Sequence, residues 1–490
     1  MLLIGSEAVP FAKTGGLADV LGALPSALAR LGWDATLVIP RYRGIGGGEL
    51  VDRIRLNVGG FMRQVGFHEA LLDAGARAIF VDAPDLFDRD ELYAIGVVDY
   101  PDNPHRFGVL VRAALEFAAR RGIRPSVVHA HDWQGGLAPV YLKTVYAAHP
   151  TLGGTPSVFT IHNLAYQGLF APDWLPRLDL SWDLMAVDRL EFWGQISFLK
   201  GGINDADVIT TVSPRYAREI QTPELGFGFD GILRQRAGDL VGILNGIDVA
   251  QWDPARDPHL PVPFDAADLS GKRAAKAAVL ARYGLPGDAE ALERPLIGMI
   301  SRMVDQKGFD LLIALGDELL RLEASFVVLG TDEPRYQTFW QELAARAPGR
   351  VGVRIGFDEG LAHLIEGGAD LFLMPSRFEP CDLNQMYNLR YGTVPVVRGV
   401  GGLADTVRES VGGSRTPEGA ATGFVFHDYT PQALYEALQR ALSAFRNPVL
   451  WRALQGAGMG EDLSWDRSAQ EYVKVYDRAI GGRVRARPAV

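Results

Sequence analysis

Short apolar runs of four or five residues alternate along this chain with longer stretches in which apolar residues recur every three to four positions. The first rhythm belongs to buried strands and the second to amphipathic helices, so parallel βαβ units are expected. Leu2-Leu3-Ile4 opens the series. Further strands are expected at 36–39, 127–129, 157–161, 208–211 and 241–243, with helices at 17–31, 106–121 and 185–204. Residues 55–82 alternate with short turns and suit an antiparallel insertion. Asp253-Pro254, Asp257-Pro258, Pro261 and Pro263 then form a stretch that neither a helix nor a central strand tolerates. The alternation restarts beyond it, with strands at 296–300, 326–329, 353–355, 371–374 and 395–397. Helices are expected between them and at 309–321, 431–442 and 465–476. The pattern predicts two doubly wound α/β domains, residues 1–252 and 253–490, with the last helix free to pack back on the first.

Composition narrows the class. A chain of 490 residues is too long for one core. Its net charge of −10 argues against nucleic-acid binding, which normally needs a basic surface. The basic run Arg483 to Arg487 reads as a frayed tail. Cys381 is the sole cysteine, so no intrachain disulfide can form and a reducing compartment fits. No apolar run reaches membrane-spanning length and no signal-peptide pattern opens the chain, which reads as soluble and cytoplasmic. The first strand opens at the first residues, compatible with a start codon set too late.

Candidate chemistry sits after the expected strands, where α/β enzymes place function. The loop Ser6 to Gly16 ends in Lys13-Thr14-Gly15-Gly16, and Leu17-Ala18-Asp19 begins a helix. Free N–H groups, the positive end of the helix dipole and Lys13 together suit a phosphate-sized anion. The loop has neither a P-loop ending nor a dinucleotide-fold glycine pattern. The same pentapeptide, Gly-Gly-Leu-Ala-Asp, recurs at 401–405. Arg302 and Lys307 could clamp a diphosphate as a leaving group without a metal, or could be a plain exposed basic pair. His129 and His131 are expected to point to opposite faces of their strand end, which argues against one shared ion. A buried, hydrogen-bonded His129 is expected instead. Asp132 and His162 could hold sugar hydroxyls or serve structure alone. Glu379 could accept from hydroxyls or cap the helix after it. Cys381 would be a nucleophile only with a base beside it, and the sequence shows none.

Taken in order, these segments resemble the bacterial glycogen synthases and plant starch synthases. The likeness runs through Ser6-Glu7, Lys13 to Asp19, His131-Asp132-Trp133, Thr160 to Asn163, Asn245 to Asp248, Ser301-Arg302 with Asp305 to Gly308, Arg377 to Cys381, Tyr391-Gly392-Thr393 and Gly401 to Asp405. The resemblance implies two facing Rossmann-like domains, the glycosyltransferase B arrangement, with the site in an interdomain cleft. It implies transfer of glucose from ADP-glucose to the non-reducing end of an α-1,4-glucan, with retention and without a metal or other cofactor. By position, Lys13, Gly15 and Gly16 would hold the donor diphosphate from one side, with Asp19 in the same motif, and Arg302 and Lys307 from the other. Glu379 and backbone N–H groups near Cys381 would orient the glucose. His162 and Asp132 would line its other face, Asn245 would add a polar contact, and Glu7 would face the acceptor.

Two positions separate this chain from neighbouring patterns. Asp382 follows Glu379-Pro380-Cys381 where the family usually has glycine. It is expected to point to solvent or cap a helix, so that Asp382→Gly changes donor KM less than tenfold. Tyr387 stands where the sucrose- and lipopolysaccharide-type transferases repeat a glutamate. The rival readings are a UDP-glucose-dependent transferase, a phosphorylase with pyridoxal phosphate on a lysine, and a non-catalytic glucan-binding protein. Glucan binding alone would not need two diphosphate clamps.

Overall fold

The computed structural model describes residues 1–96, 98–410 and 420–486. The chain divides into two compact units, Met1–Gly246 with Trp465–Val490, and Ile247–Ser464. The first unit is built on nine strands: β1 (Leu2–Ile4), β2 (Thr36–Pro40), β3 (Glu49–Val58), β4 (Phe61–Leu71), β5 (Arg77–Asp82), β6 (Val128–His131), β7 (Ser157–Ile161), β8 (Val208–Thr211) and β9 (Leu240–Gly242). They lie in the order β9-β8-β7-β6-β1-β2-β5-β4-β3. Neighbours from β9 to β5 are parallel, whereas β3, β4 and β5 pair antiparallel and extend the same sheet. The inner strands are buried along their whole length, as expected of a parallel sheet with both faces covered.

The second unit repeats the plan with six parallel strands: β10 (Leu296–Ile300), β11 (Ser325–Gly330), β12 (Val351–Ile355), β13 (Leu371–Met374), β14 (Val394–Arg398) and β15 (Phe424–Phe426). Their order is β12-β11-β10-β13-β14-β15. Both sheets reverse winding direction beside their first strand, between β1 and β6 and between β10 and β13. Open α/β sheets bind ligands in the crevice at such a switch point. The loops following these four strands carry nearly all the candidate residues.

Several expectations are corrected. Residues 185–204 are not one helix but a hairpin, Glu191–Phe192 against Gln195–Ser197, followed by a short helix Phe198–Asp205. Its turn, Trp193-Gly194, has positive φ at both residues, the geometry that matches strand twist in a two-residue hairpin. Helix Phe309–Leu315 gives way to a 3₁₀ turn at Gly316, which has φ +54°. The unit boundary lies at Gly246/Ile247, before the proline-rich stretch. That stretch belongs to the second unit because Leu260 and Phe264 are buried in its core. Trp252 is also held there, stacked between His363 and Tyr387 at ring distances of 3.8 and 3.6 Å. Strand β15 and helix Pro448–Met459 carry no expectation from sequence; three residues are too few to show a period. The last helix, Trp465–Ala486, packs on the first unit, where Ser468 bonds the Leu244 carbonyl and Arg30 pairs with Asp466. The side chains of the basic run 483–487 lie outside the described residues. No described helix is long and apolar enough to cross a membrane.

The two Gly-Gly-Leu-Ala-Asp copies each open a helix, Gly16–Arg30 and Gly401–Thr406, yet their glycines serve different ends. A Cβ on Gly15 or Gly16 would meet nothing within 4 Å. Gly401 has φ +44°, and a Cβ there would stand 1.7 Å from the Glu379 carbonyl oxygen. Gly401→Ala therefore adds backbone strain to a clash and should lower Tm by roughly 5–10 °C. Gly16→Ala should leave Tm within ~2 °C, since alanine fits that helical position. Scanning calorimetry of the two variants checks the contrast.

Candidate functional site

In the first unit the loop between β1 and helix Gly16–Arg30 is shaped from within by Glu7. This carboxylate is 3% exposed. It accepts hydrogen bonds from Thr14 N (2.5 Å), Thr14 Oγ1 (2.9 Å), Gly15 N (3.4 Å) and the Tyr93 hydroxyl (2.7 Å). Burial raises its pKa, and these donors oppose the rise. Glu7 is expected to face the acceptor; its oxygens are turned onto its own loop and Tyr93. Tyr93, 86 residues away in sequence, had no local signal that could have marked it as the brace. Lys13 is half exposed and pairs with Asp19 at 2.7 Å. An exposed pair of this kind contributes little to stability, so an arriving anion can exchange for Asp19 at small cost.

Asp132 and His162, at the ends of β6 and β7, are brought together. Asp132 has φ +51°, an uncommon conformation for a residue with a side chain, and its Oδ1 accepts from His162 N at 2.7 Å. Burial pushes the Asp132 carboxyl up to about 7, against the backbone N–H groups of His162 and Asn163. His162 is pushed down to about 3 by burial. His131 Nδ1 and His162 Nε2 share one hydrogen bond of 3.0 Å.

The rings of His129 and His131 lie on the same side of their strand, with centroids 4.1 Å apart, not on opposite faces. Residues two apart along a strand share a face, and that period applies here. His129 is taken up by Tyr476 (2.9 Å) and Thr160 (2.6 Å), so it is the buried, hydrogen-bonded histidine expected. Asn245, the penultimate residue of the first segment, is buried with its Oδ1 accepting no hydrogen bond.

In the second unit the loops after β10 and β13 are zipped together. Arg377 N donates to Gln306 O at 2.8 Å, and Gly308, with φ +78°, seats so closely that a Cβ would lie 2.1 Å from the Pro375 carbonyl oxygen. Lys307 Nζ then reaches two carboxylates, Glu379 at 2.7 Å and Asp382 at 2.6 Å. Burial alone would lower this lysine, but Asp382 and Glu379 override it and hold the ammonium well above its usual range. Burial and the Asp382 charge raise Glu379, against the pull of Lys307. Asp382 is lowered despite burial, by Lys307 and by the Leu383 and Asn384 N–H groups it caps. Neither Glu379 nor Asp382 is the N-cap of the helix Asn384–Arg390, which is Leu383; Asp382 precedes it and accepts from the Leu383 and Asn384 N–H groups, while its other oxygen faces Lys307, not solvent.

Ser376 Oγ donates to Glu379 at 2.9 Å, a support that its spacing of three residues could have suggested. Arg302 is half exposed at the rim, 3.4 Å from Gln306 Oε1. Cys381 Sγ lies 3.7 Å from the Asp382 carbonyl and packs against Gly402. A small cavity lined by Ser301, Lys307, Ser376 and Asp382 opens at this point.

Similarity to known proteins agrees with this geometry. The family description "Starch synthase catalytic domain" matches residues 1–235, and "Glycosyl transferases group 1" matches 287–446. A glycogen synthase of Anaeromyxobacter dehalogenans (strain 2CP-C) is 51% identical over 97% of this chain and 98% of its own length. One from Koribacter versatilis (strain Ellin345) is 45% identical over 97% of each. The chain belongs to the glycogen and starch synthase family. A solved member, the catalytic domain of starch synthase IV from Arabidopsis thaliana bound to ADP and acarbose, superposes with a TM-score of 0.88 at 33% identity, covering 98% of this chain and 99% of that one. A sucrose-phosphate synthase from Thermosynechococcus elongatus, at 17% identity and a TM-score of 0.61, shares the fold. The family's fold is glycosyltransferase B, and its members are glycosyltransferases.

The Asp132 carboxyl yields a pH prediction for this family member. Its folded pKa, about 7, lies above the unfolded 3.8, so the stability of the neutral form is fully present below 3.8 and lost as pH rises through 7. Between pH 5 and 8 the unliganded protein should lose about 2–3 kcal/mol at this site. Asp132→Asn keeps the acceptor and should lack that loss. Chemical denaturation of both proteins across this range measures it, and a constant difference in stability would count against the assignment.

Proposed function

We propose that this chain transfers glucose from ADP-glucose to the non-reducing end of an α-1,4-glucan with retention of configuration. The observation that carries the reading is the zipped second-unit loop, where Lys307 and Glu379 meet at 2.7 Å with Arg302 at the rim. A diphosphate leaving group gains negative charge as the glycosidic bond breaks. Arg302 and Lys307 would stabilise that charge more strongly in the transition state than in the ground state, which is what accelerates the step. The first unit would add Lys13 and the N–H groups at Gly15 and Gly16, whose surroundings leave room for a close phosphate.

Glu379, with backbone groups near Cys381, would hold the glucosyl hydroxyls. Asp132 and the neutral His162 would line the face on which positive charge develops at the anomeric carbon. The buried acceptor of Asn245 would take a polar contact from the ligand. With the leaving charge balanced by side-chain cations and N–H groups, the reaction is proposed to need no metal. The ADP bound to the starch synthase IV relative supports adenine as the donor base.

Purified protein supplied with glycogen and EDTA should release ADP from ADP-glucose and extend the polymer, with UDP-glucose run in parallel as the rival donor. Release from UDP-glucose alone would overturn the donor assignment. Glu379→Gln should lower kcat about a hundredfold while glycogen binding stays within twofold. Equal losses in both would remove Glu379 from the proposed role.

A further inference from the structure

Among the described residues, Lys307 is the one cation of the second-unit loops that is both largely buried and placed beside the small cavity, and it is occupied twice over. Glu379 accepts one hydrogen bond from its ammonium at 2.7 Å and Asp382 another at 2.6 Å. Two carboxylates around one ammonium leave the cluster with a net negative charge. That is the wrong sign for a site meant to receive a diphosphate. Glu379 has a separate task in the proposed reaction and is held for it by Ser376. Asp382 has no such task. Its Oδ1 caps Leu383 and Asn384 at 2.8 and 3.2 Å, which fixes the side chain so that Oδ2 meets Lys307. The cap therefore makes Asp382 a preorganised counter-ion, with little rotamer freedom left to lose on pairing.

We propose that Asp382 is a built-in competitor of the donor's diphosphate for Lys307, a positioning residue that parks the ammonium between two carboxylates when the site is empty and weakens the hold on nucleoside diphosphates. The proposal rests on the donor reading given above. When a diphosphate arrives, it must share the Lys307 ammonium with both carboxylates through the one remaining N–H, and the Asp382 charge then faces the phosphates across a short distance. Both effects weaken binding of donor and of released nucleotide alike. A glycine at this position, as the resembling family usually has, would impose neither.

The test is the affinity of the full chain for ADP, measured by titration calorimetry, with adenosine as an uncharged probe. Asp382→Asn is the decisive variant. It keeps an oxygen able to cap Leu383 and Asn384, so the helix start is preserved while the charge is removed. ADP should bind this variant on the order of tenfold more tightly than it binds the parent chain, and adenosine should bind both within twofold. The same variant should show a lower KM for ADP-glucose with kcat changed less than threefold, a split that a merely structural loss would not produce. Asp382→Gly, which loses the cap as well, should tighten ADP in the same direction. ADP binding to Asp382→Asn that is unchanged or weaker would overturn the competitor role while leaving the donor reading intact. No ADP binding by the parent chain or either variant would overturn both.

Discussion

A buried ammonium group needs close polar partners, because its transfer out of water costs several kcal/mol that only close pairing offsets. In the second unit that requirement fixes the geometry of two loops. Lys307 follows β10, and Glu379 and Asp382 follow β13. The pairing can form only because Gly308 lets the backbone turn against Pro375 and Arg377 bonds back to Gln306. Gly401 in turn backs the Glu379 carbonyl, so the second Gly-Gly-Leu-Ala-Asp copy is part of the wall behind the site. Removing either carboxylate changes the charge balance of a cluster of three whose other two members stay buried. The cluster therefore sets the local charge as much as it holds the two loops together.

The first unit solves the mirror-image problem. Here the buried charge is Glu7, and it is met by N–H and O–H donors instead of by a cation. The outcome is a loop whose inner side is fully engaged and whose outer side, at Gly15 and Gly16, is open. Two copies of one pentapeptide have thus diverged in use. One leaves its glycines open, and the other spends them on close packing. Similar sequence opens a helix in both places because the local requirement, glycine before a short apolar turn, is the same.

Burial also sets protonation. His131 and His162 are held neutral and share a hydrogen bond, while burial raises the Asp132 carboxyl well above the usual carboxylate range. A sugar ring placed beside these groups would meet neutral donors and acceptors plus one carboxyl whose charge responds to what binds.

The sequence by itself determined the α/β class, the strand-end placement of Lys13, Asp132, His162, Arg302, Lys307 and Glu379, and the family. These follow from local periodicity and from motifs that sit within a few residues of one another. It did not determine that Glu7 turns inward to Tyr93, that His129 is claimed by Tyr476, or that 185–204 breaks into a hairpin. Each of those depends on a partner that is distant in sequence or on a positive φ that no periodicity records. Asp382 shows the division most clearly. Its departure from the family pattern was visible as a letter, but its pairing with Lys307 required the packing of one loop on another 75 residues away. Local preference chose the elements, and long-range burial decided which charges had to meet.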